Sequence, residues 1–285
     1  MNKITIAGIR RGNIFSPNHI GNDEMVFSLT AMHLRARGCT VNEYSEREFF
    51  EKETEEPFLF NMVRDTYSVK KLQHLEDEGR IVINSGYGIE NCTREKMTRL
   101  LISHQEPSPV SLIVKTSSDP VPELEELGIT NCWIKRGDFH AIHREDVTYV
   151  RNHDEVKGIL KEYAIRGIKT AVINEHLIGD LVKFYGVADT DFFYWFYPSS
   201  INYSKFGMEQ INGNAQGFAF DLHQLKRLCK EISELLNVKI YGGDCIVSSD
   251  GSIRIIDFND WPSFAPCREV AAPKIAECIY NSIMK

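Results

Sequence analysis

Near the C-terminal end of the chain, two aspartates and an asparagine stand where they can hold a hard cation. The stretch IRIIDFNDWPSF, from Ile253 to Phe264, opens as an apolar strand. It then carries Asp257, Asn259 and Asp260 before a Trp-Pro pair. Side chains alternate across a strand, so Asp257 and Asn259 share a face and Phe258 takes the other. The preceding run YGGDCIV carries Asp244, and the turn at Ser249-Asp250-Gly251 makes the two runs a hairpin. A short hairpin sets Asp244 beside Asp257. Two carboxylates and an amide oxygen are too few for an all-protein Ca²⁺ cage. They suit Mg²⁺, which keeps waters and takes its other ligands from substrate phosphates.

Phosphates need cations. Lys96 follows NCTRE at the start of a helix, Lys135 ends the strand CWIK, and Lys183 sits inside the strand LVKFYGV. A lysine flanked by apolar residues on a strand is unusual unless it lies at an edge or has an anion to meet. Arg10, Arg11, Asn18 and His19 follow the first strand, at the end where open α/β sheets bind ligands. They are candidate substrate residues, as is His140. No nucleophile motif competes: G-x-S-x-G is absent, and SGYGIEN has Asn91 where a dinucleotide fingerprint needs its third glycine. His140 and His143, with Glu145 near, have the spacing of a zinc pair but no second ligand cluster close by. The aromatic run DFFYWFYP, without a basic groove, reads as core or pocket wall and not as a base-stacking platform.

These residues must be positioned by the elements around them. KITIAGI is a strand, the spacing of Met25, Leu29, Met32 and Leu34 predicts a helix ending near Gly38, and CTVNEY is a second strand. That is a β–α–β opening, the start of a parallel-sheet domain. Residues 46 to 80 read as charged and mostly helical, and RIVINS as the next strand. GYGIEN reads as a turn before a short helix ending near His104, followed by a Pro-containing turn and the strand VSLIVK. NCWIK, VTYV and KTAVINEHL are further strands, with a helix around DEVKGILKEYAI. LVKFYGV and DFFYWFY are β-rich. Leu222, Leu225, Leu228, Ile232, Leu235 and Leu236 form one apolar stripe on a helix from Asp221 to Leu236, ahead of the final hairpin. The order is a β–α–β domain, a small mixed domain and a larger antiparallel one.

The 285 residues can bury a sizeable core, and 42% hydrophobic with 26% charged residues is ordinary for a soluble globular chain. The net charge of −7 and the lack of a long basic run give nucleic acid and anionic membranes no electrostatic purchase. Seven scattered cysteines with no C-x-x-C are the pattern of free thiols in a reducing compartment. MNKITIAGIR is too short in its apolar part for a signal peptide, and no apolar run approaches the roughly 20 residues of a membrane helix. The expectation is a cytoplasmic protein.

The order of these motifs resembles the ATP-grasp superfamily, in particular the branch related to the ribosomal-protein S6 glutamate ligase (RimK-like), over roughly residues 84 to 264. INSGYGIENCTREKMTRLLISHQEPSP is similar to that branch's Asn, spacer, Lys-bearing helix and Pro turn. CWIK looks like its strand ending in a nucleotide-binding lysine, and AVINEHLIGD like its adenine-binding hinge. GGDCIVSSDGSIRIIDFNDWPSF looks like its closing hairpin, an acid followed by acid-x-Asn.

The resemblance implies an α/β (α+β) ATP-grasp fold. An N-terminal parallel-sheet domain over 1–95 would be followed by a small lobe over 96–172 and a C-terminal lobe with the metal site over 173–285. It implies that Lys96 and Lys135 contact ATP phosphates, that Glu175 and the backbone of His176 and Leu177 hold adenine, and that Asp180 meets the ribose. Asp244, Asp257 and Asn259 would hold Mg²⁺, and Lys135 and Lys183 would serve catalysis.

Two departures stand out. The flap KRGDFHAIHRED has one glycine where the family is glycine-rich, with Arg136, Asp138 and His140 in place of small residues. Lys183 replaces the usual arginine and resembles the matching lysine of inositol-trisphosphate kinases. The implied function is an ATP- and Mg²⁺-dependent ligase joining a small-molecule or peptide carboxylate to an amine or thiol through an acyl phosphate. The alternatives are a small-molecule kinase and a non-catalytic ATP-binding protein; the oligomeric state stays open.

Overall fold

The computed structural model describes residues 4–15, 20–139, 144–198 and 211–285. Four parallel strands, β1 (Thr5–Ile9), β2 (Thr40–Tyr44), β3 (Phe58–Asn61) and β4 (Ile81–Ile83), lie in the order β2-β1-β3-β4. Helices α1 (Ile20–Ala36), α2 (Glu46–Glu51) and α3 (Thr66–Asp77) connect them. Ser45 and Glu48 form a reciprocal capping box on α2, and the Asp65 side chain caps α3. The strand β3 corrects the helical reading of 46–80. Its FLFN is buried in the middle of the sheet, so both faces are apolar and no alternation marks it among the charged residues around it.

The run GYGIEN is likewise a helix and not a turn. It forms α4 (Gly86–Asn91), with the Ser85 hydroxyl accepting from the Gly88 N–H. Gly88 is required by packing, because a Cβ there would collide with the Asn237 carbonyl. Then come α5 (Arg94–Ser103), β5 (Ser111–Lys115), α6 (Val121–Glu126), β6 (Cys132–Arg136), β7 (Val147–Val150), α7 (His153–Ile165) and β8 (Thr170–Glu175). The antiparallel sheet β5-β8-β6-β7 has its own core, from Leu124, Ile134, Val156, Leu160, Tyr163 and Ile173 among others.

The third sheet is antiparallel, in the order β10-β9-β11-β12. It comprises β9 (Asp180–Val187), β10 (Phe193–Phe196), β11 (Ile240–Val247) and β12 (Ile253–Asp260). Val182, Phe184, Cys245, Val247 and Phe258 cover one face, against Leu225, Leu228, Ile232 and Leu236 of α8 (Leu222–Leu236). The other face is divided. Its lower part, with Tyr185, Val187 and Ile240, shares a core with Phe27 of α1, Phe60 of β3 and Met62 just after it. Its upper part carries the charged residues.

The chain closes with α9 (Arg268–Met284), which packs against α1 and contributes Ala271, Ile275, Ala276 and Ile279 to that shared core. The hairpin is the last element read from the sequence; this further helix carries Pro273, a residue that ordinarily breaks one. Among the described residues no helix is long and apolar enough to cross a membrane, and all seven cysteines are free and buried.

Candidate active site

The upper half of that face of the third sheet presents one row across three strands. Lys183 on β9 stands opposite Asp244 on β11, and Asp244 stands opposite Asp257 on β12. The Lys183 ammonium donates to both carboxylate oxygens of Asp244, at 3.0 Å each. Asn259 shares this face, opposite Gly242.

What lets an apolar strand present these ligands is a β-bulge. Cys245 pairs with Ile255 but Asp244 pairs with Asp257, so Ile256 is an extra residue on β12. Before the bulge Ile253 and Ile255 point into the core; after it Phe258 and Asp260 do. Without the extra residue, Asp257 and Asn259 would follow Ile255 into the α8 face. The bulge also frees the Ile256 carbonyl, which accepts from the Lys135 ammonium at 2.9 Å.

Lys135, next to last in β6, reaches across from the small lobe to Ile256, so the site lies between two antiparallel sheets. Burial pushes the Lys135 ammonium down to about 8; neighbouring Arg94 adds to that, while Asp257 and Asp244 oppose it. Arg94 is the residue that the sequence reading missed. Its guanidinium is buried and lies 3.3 Å from Asp257. The signal was available in the helical period, since Arg94 falls on the same α5 face as Met97, Thr98 and Leu101, all buried. Lys96 falls on another face and pairs with Glu90 at 3.0 Å, so the structure does not bring it to the row. Arg94 and Lys135 line a narrow cleft with Ser111, Val172, Asn174 and Ile256.

The hinge residues sit beside this cleft. Glu175 accepts from the Val110 N–H at 2.8 Å and from Arg254 at 2.9 Å. Trp133 Nε1 donates to His176 Nδ1 at 3.0 Å, which leaves the ring proton on Nε2, and burial lowers the His176 pKa. Leu177 is buried and its carbonyl accepts from Asn212 at 3.3 Å. The Asp180 carboxylate is buried and accepts the backbone N–H groups of Gln216, Gly217 and Phe218 at 2.7–2.8 Å, so it organises that loop.

Among the described residues no group of three or more His, Cys, Asp and Glu gathers that can hold a metal by itself. Asp244, Asp257 and Asn259 form a partial hard-oxygen shell on one face. That shell fits Mg²⁺ with water and phosphate oxygens as the remaining ligands.

At the C-terminal end of β1 a cavity of about 220 Å³ is lined by Arg10, Arg11, Asp23, Glu24, Phe27 and Met62 among others. Arg10 lies over the Phe27 ring and bonds Glu43, while Arg11 bonds Asp23, the Met62 carbonyl and the Trp261 carbonyl. Asn18, His19, His140 and His143 lie outside the described residues. In the flap, Arg136 pairs with Asp138 at 2.9 Å and with Asp146 at 3.5 Å.

No protein-family model matches the sequence, and no curated protein matches it in sequence. Solved structures do. D-alanyl-alanine synthetase A from Vibrio cholerae has a TM-score of 0.72 at 11% identity, with all of both chains covered. D-alanine–D-alanine ligase from Bacillus anthracis, complexed with ATP, has a TM-score of 0.68 at 14% identity over 99% of this chain and 97% of that one. The ATP-grasp ligase PsnB, complexed with a minimal precursor, has a TM-score of 0.64 at 15% identity over 99% of this chain and all of the other. The parallel sheet, the two antiparallel sheets and the cleft between them are thus the fold of the ATP-grasp ligases, over the full length of the chain.

Proposed function

We propose that the protein is an ATP-dependent ligase joining a carboxylate to an amine. The observation that carries this reading is the row Lys183–Asp244–Asp257, faced by Lys135 and Arg94 across a cleft between two antiparallel sheets. Three cations against two carboxylates leave a surplus of positive charge that an anionic triphosphate and its metal would meet. ATP supplies the phosphoryl group that activates the substrate carboxylate as an acyl phosphate, and the amine then displaces phosphate. Asp244, Asp257 and Asn259 would hold Mg²⁺, which when bound would supply charge neutralisation.

The chain's own residues do the rest by placement. Lys135 and Arg94 hold anionic oxygens against the small lobe, where burial strengthens each contact. Lys183 meets charge developing over the row. Glu175, His176 and Leu177, on the segment joining the two sheets, form the purine end of the cleft. The cavity of Arg10 and Arg11 receives the substrate. RimK-like peptide or amino-acid carboxylates and amines are the substrate class, and no side-chain nucleophile is needed.

The test is a product assay. The protein is incubated with ATP, Mg²⁺, and carboxylate and amine pools, and hydroxylamine is then added. A hydroxamate with ADP and free phosphate supports the ligase. A phosphorylated acceptor with ADP and no free phosphate replaces it with a kinase, the reading that Lys183 raises. Absence of any nucleotide binding at millimolar ATP analogue rejects both.

A further inference from the structure

The metal-bearing end of β12 is weakly braced by its own sheet. The strand is at the edge; among the described residues its one sheet partner is β11, and Ile255 also donates its N–H to the Pro107 carbonyl at 2.8 Å. The bulge at Ile256 interrupts that pairing. Opposite Phe258 and Asn259 stand Gly243 and Gly242, which offer no side chain to pack against. The chain then leaves the strand through Trp261 at φ 30°, a left-handed conformation that a bulky residue keeps only when its surroundings hold it there.

The N-terminal domain does the holding. Arg64, after β3, pairs with the Asp260 carboxylate and donates Nη2 to the Asp260 carbonyl at 2.9 Å. Both side chains are buried, with 8% and 1% exposed. The backbone N–H of Arg64 is in turn held by the buried Glu46 carboxylate at 2.6 Å. Arg11, after β1, donates Nη2 to the Trp261 carbonyl at 2.8 Å. At the foot of β11, the Asn84 side-chain oxygen accepts the N–H groups of Lys239 and Ile240 at 2.8 and 2.9 Å. Both strands of the hairpin are therefore anchored at their base by another domain. A buried ion pair adds little net stability over apolar residues of the same shape. What the Arg64–Asp260 pair fixes is position.

We infer that Arg64 and Arg11 are positioning residues for the metal-binding row, setting where Asp257 and Asn259 stand although neither touches the row. This rests on the function proposed above. The test compares Arg64→Met/Asp260→Leu, which removes both charges together, with the wild type. Mn²⁺ binding is followed by electron paramagnetic resonance in the presence of a non-hydrolysable ATP analogue.

The expected result is Mn²⁺ affinity weakened about 10- to 100-fold, the range for losing a partner that orients a metal ligand. Analogue affinity without metal and the thermal midpoint stay near wild type, and amide exchange over 257–262 quickens. The isosteric Asp260→Asn, and Arg11→Gln, shift the same readings in the same direction and serve if the double variant does not fold. Folded variants with wild-type Mn²⁺ affinity and wild-type exchange overturn the inference. A wild-type protein that binds the analogue but no Mn²⁺ overturns instead the metal role proposed for the row.

Discussion

Lys183 and Lys135 face the same row but carry different expectations. Lys183 is fixed by both oxygens of Asp244, and its neighbour Phe184 points to the α8 side. Lys183→Met is expected to keep the fold and analogue binding while turnover falls about 10²- to 10³-fold, the range for one preorganised group that meets developing charge. Steady-state rates beside calorimetry check this; lost binding with normal turnover contradicts it. Lys135 responds to pH. With its pKa down at about 8, the ammonium loses its proton in the folded protein while an unfolded lysine keeps one to about 10.4. Between those values the unfolded chain binds more protons, so this group adds stability as pH rises. The hold on phosphate proposed for it runs the other way. Analogue affinity is expected to fall between pH 7 and 9, and Lys135→Arg, which stays charged, to flatten that step. That Lys183 faces away from Phe184, and that Asp257 and Asn259 share a face opposite Phe258, was legible in the sequence from strand alternation. Arg94 was passed over for Lys96 because the reading followed residue type and not the helical face shared with Met97 and Leu101.

At the scale of elements, the bulge decides the site, and no residue type announces it. Ile256 reads as one more apolar position in IRII, and only the pairing with β11 shows it to be the extra one. The same pairing presses Gly243 against its neighbour. A Cβ there would collide with the Asp257 carbonyl and stand 2.7 Å from the Phe184 ring. Gly243→Ala is expected to cost about 1–3 kcal/mol, the usual penalty of overpacking, and to weaken metal binding as well. Gly158→Ala, on an exposed turn of α7 with nothing within 4 Å, is the control and is expected to stabilise by about 0.5–1 kcal/mol. Thermal melts of the two variants give the comparison. Three of the elements that escaped the sequence reading, the strand β3, the helix α4 and the helix α9, lie against neighbouring strands, the Asn237 backbone and α1.

Over the whole molecule, the order of parallel sheet, small lobe and larger antiparallel sheet was legible, because turn residues and strand patterns divide the chain that way. The return of the C-terminal segment onto the first domain was not, since nothing local encodes a contact between α9 and α1. Two kinds of core follow. The small lobe draws its core from residues 112–173 alone, whereas one core joins Ile6 and Phe27 to Trp261 and Ile279. A fragment over 108–176 is expected to melt cooperatively by itself, and removal of 268–285 to leave a chain that does not fold; circular dichroism checks both. The anchors at the foot of the hairpin set an order of events during synthesis. Arg11 and Trp261 are 250 residues apart in sequence, and Arg64 and Asp260 are 196 apart. Contacts that close such long loops form late. As the chain leaves the ribosome, the strands of the parallel sheet emerge while Arg11, Arg64 and Asn84 still await their partners and the core still awaits α9. The cleft is the last part to be built, and a nascent chain carries no complete row until its final strand and helix have emerged and been caught.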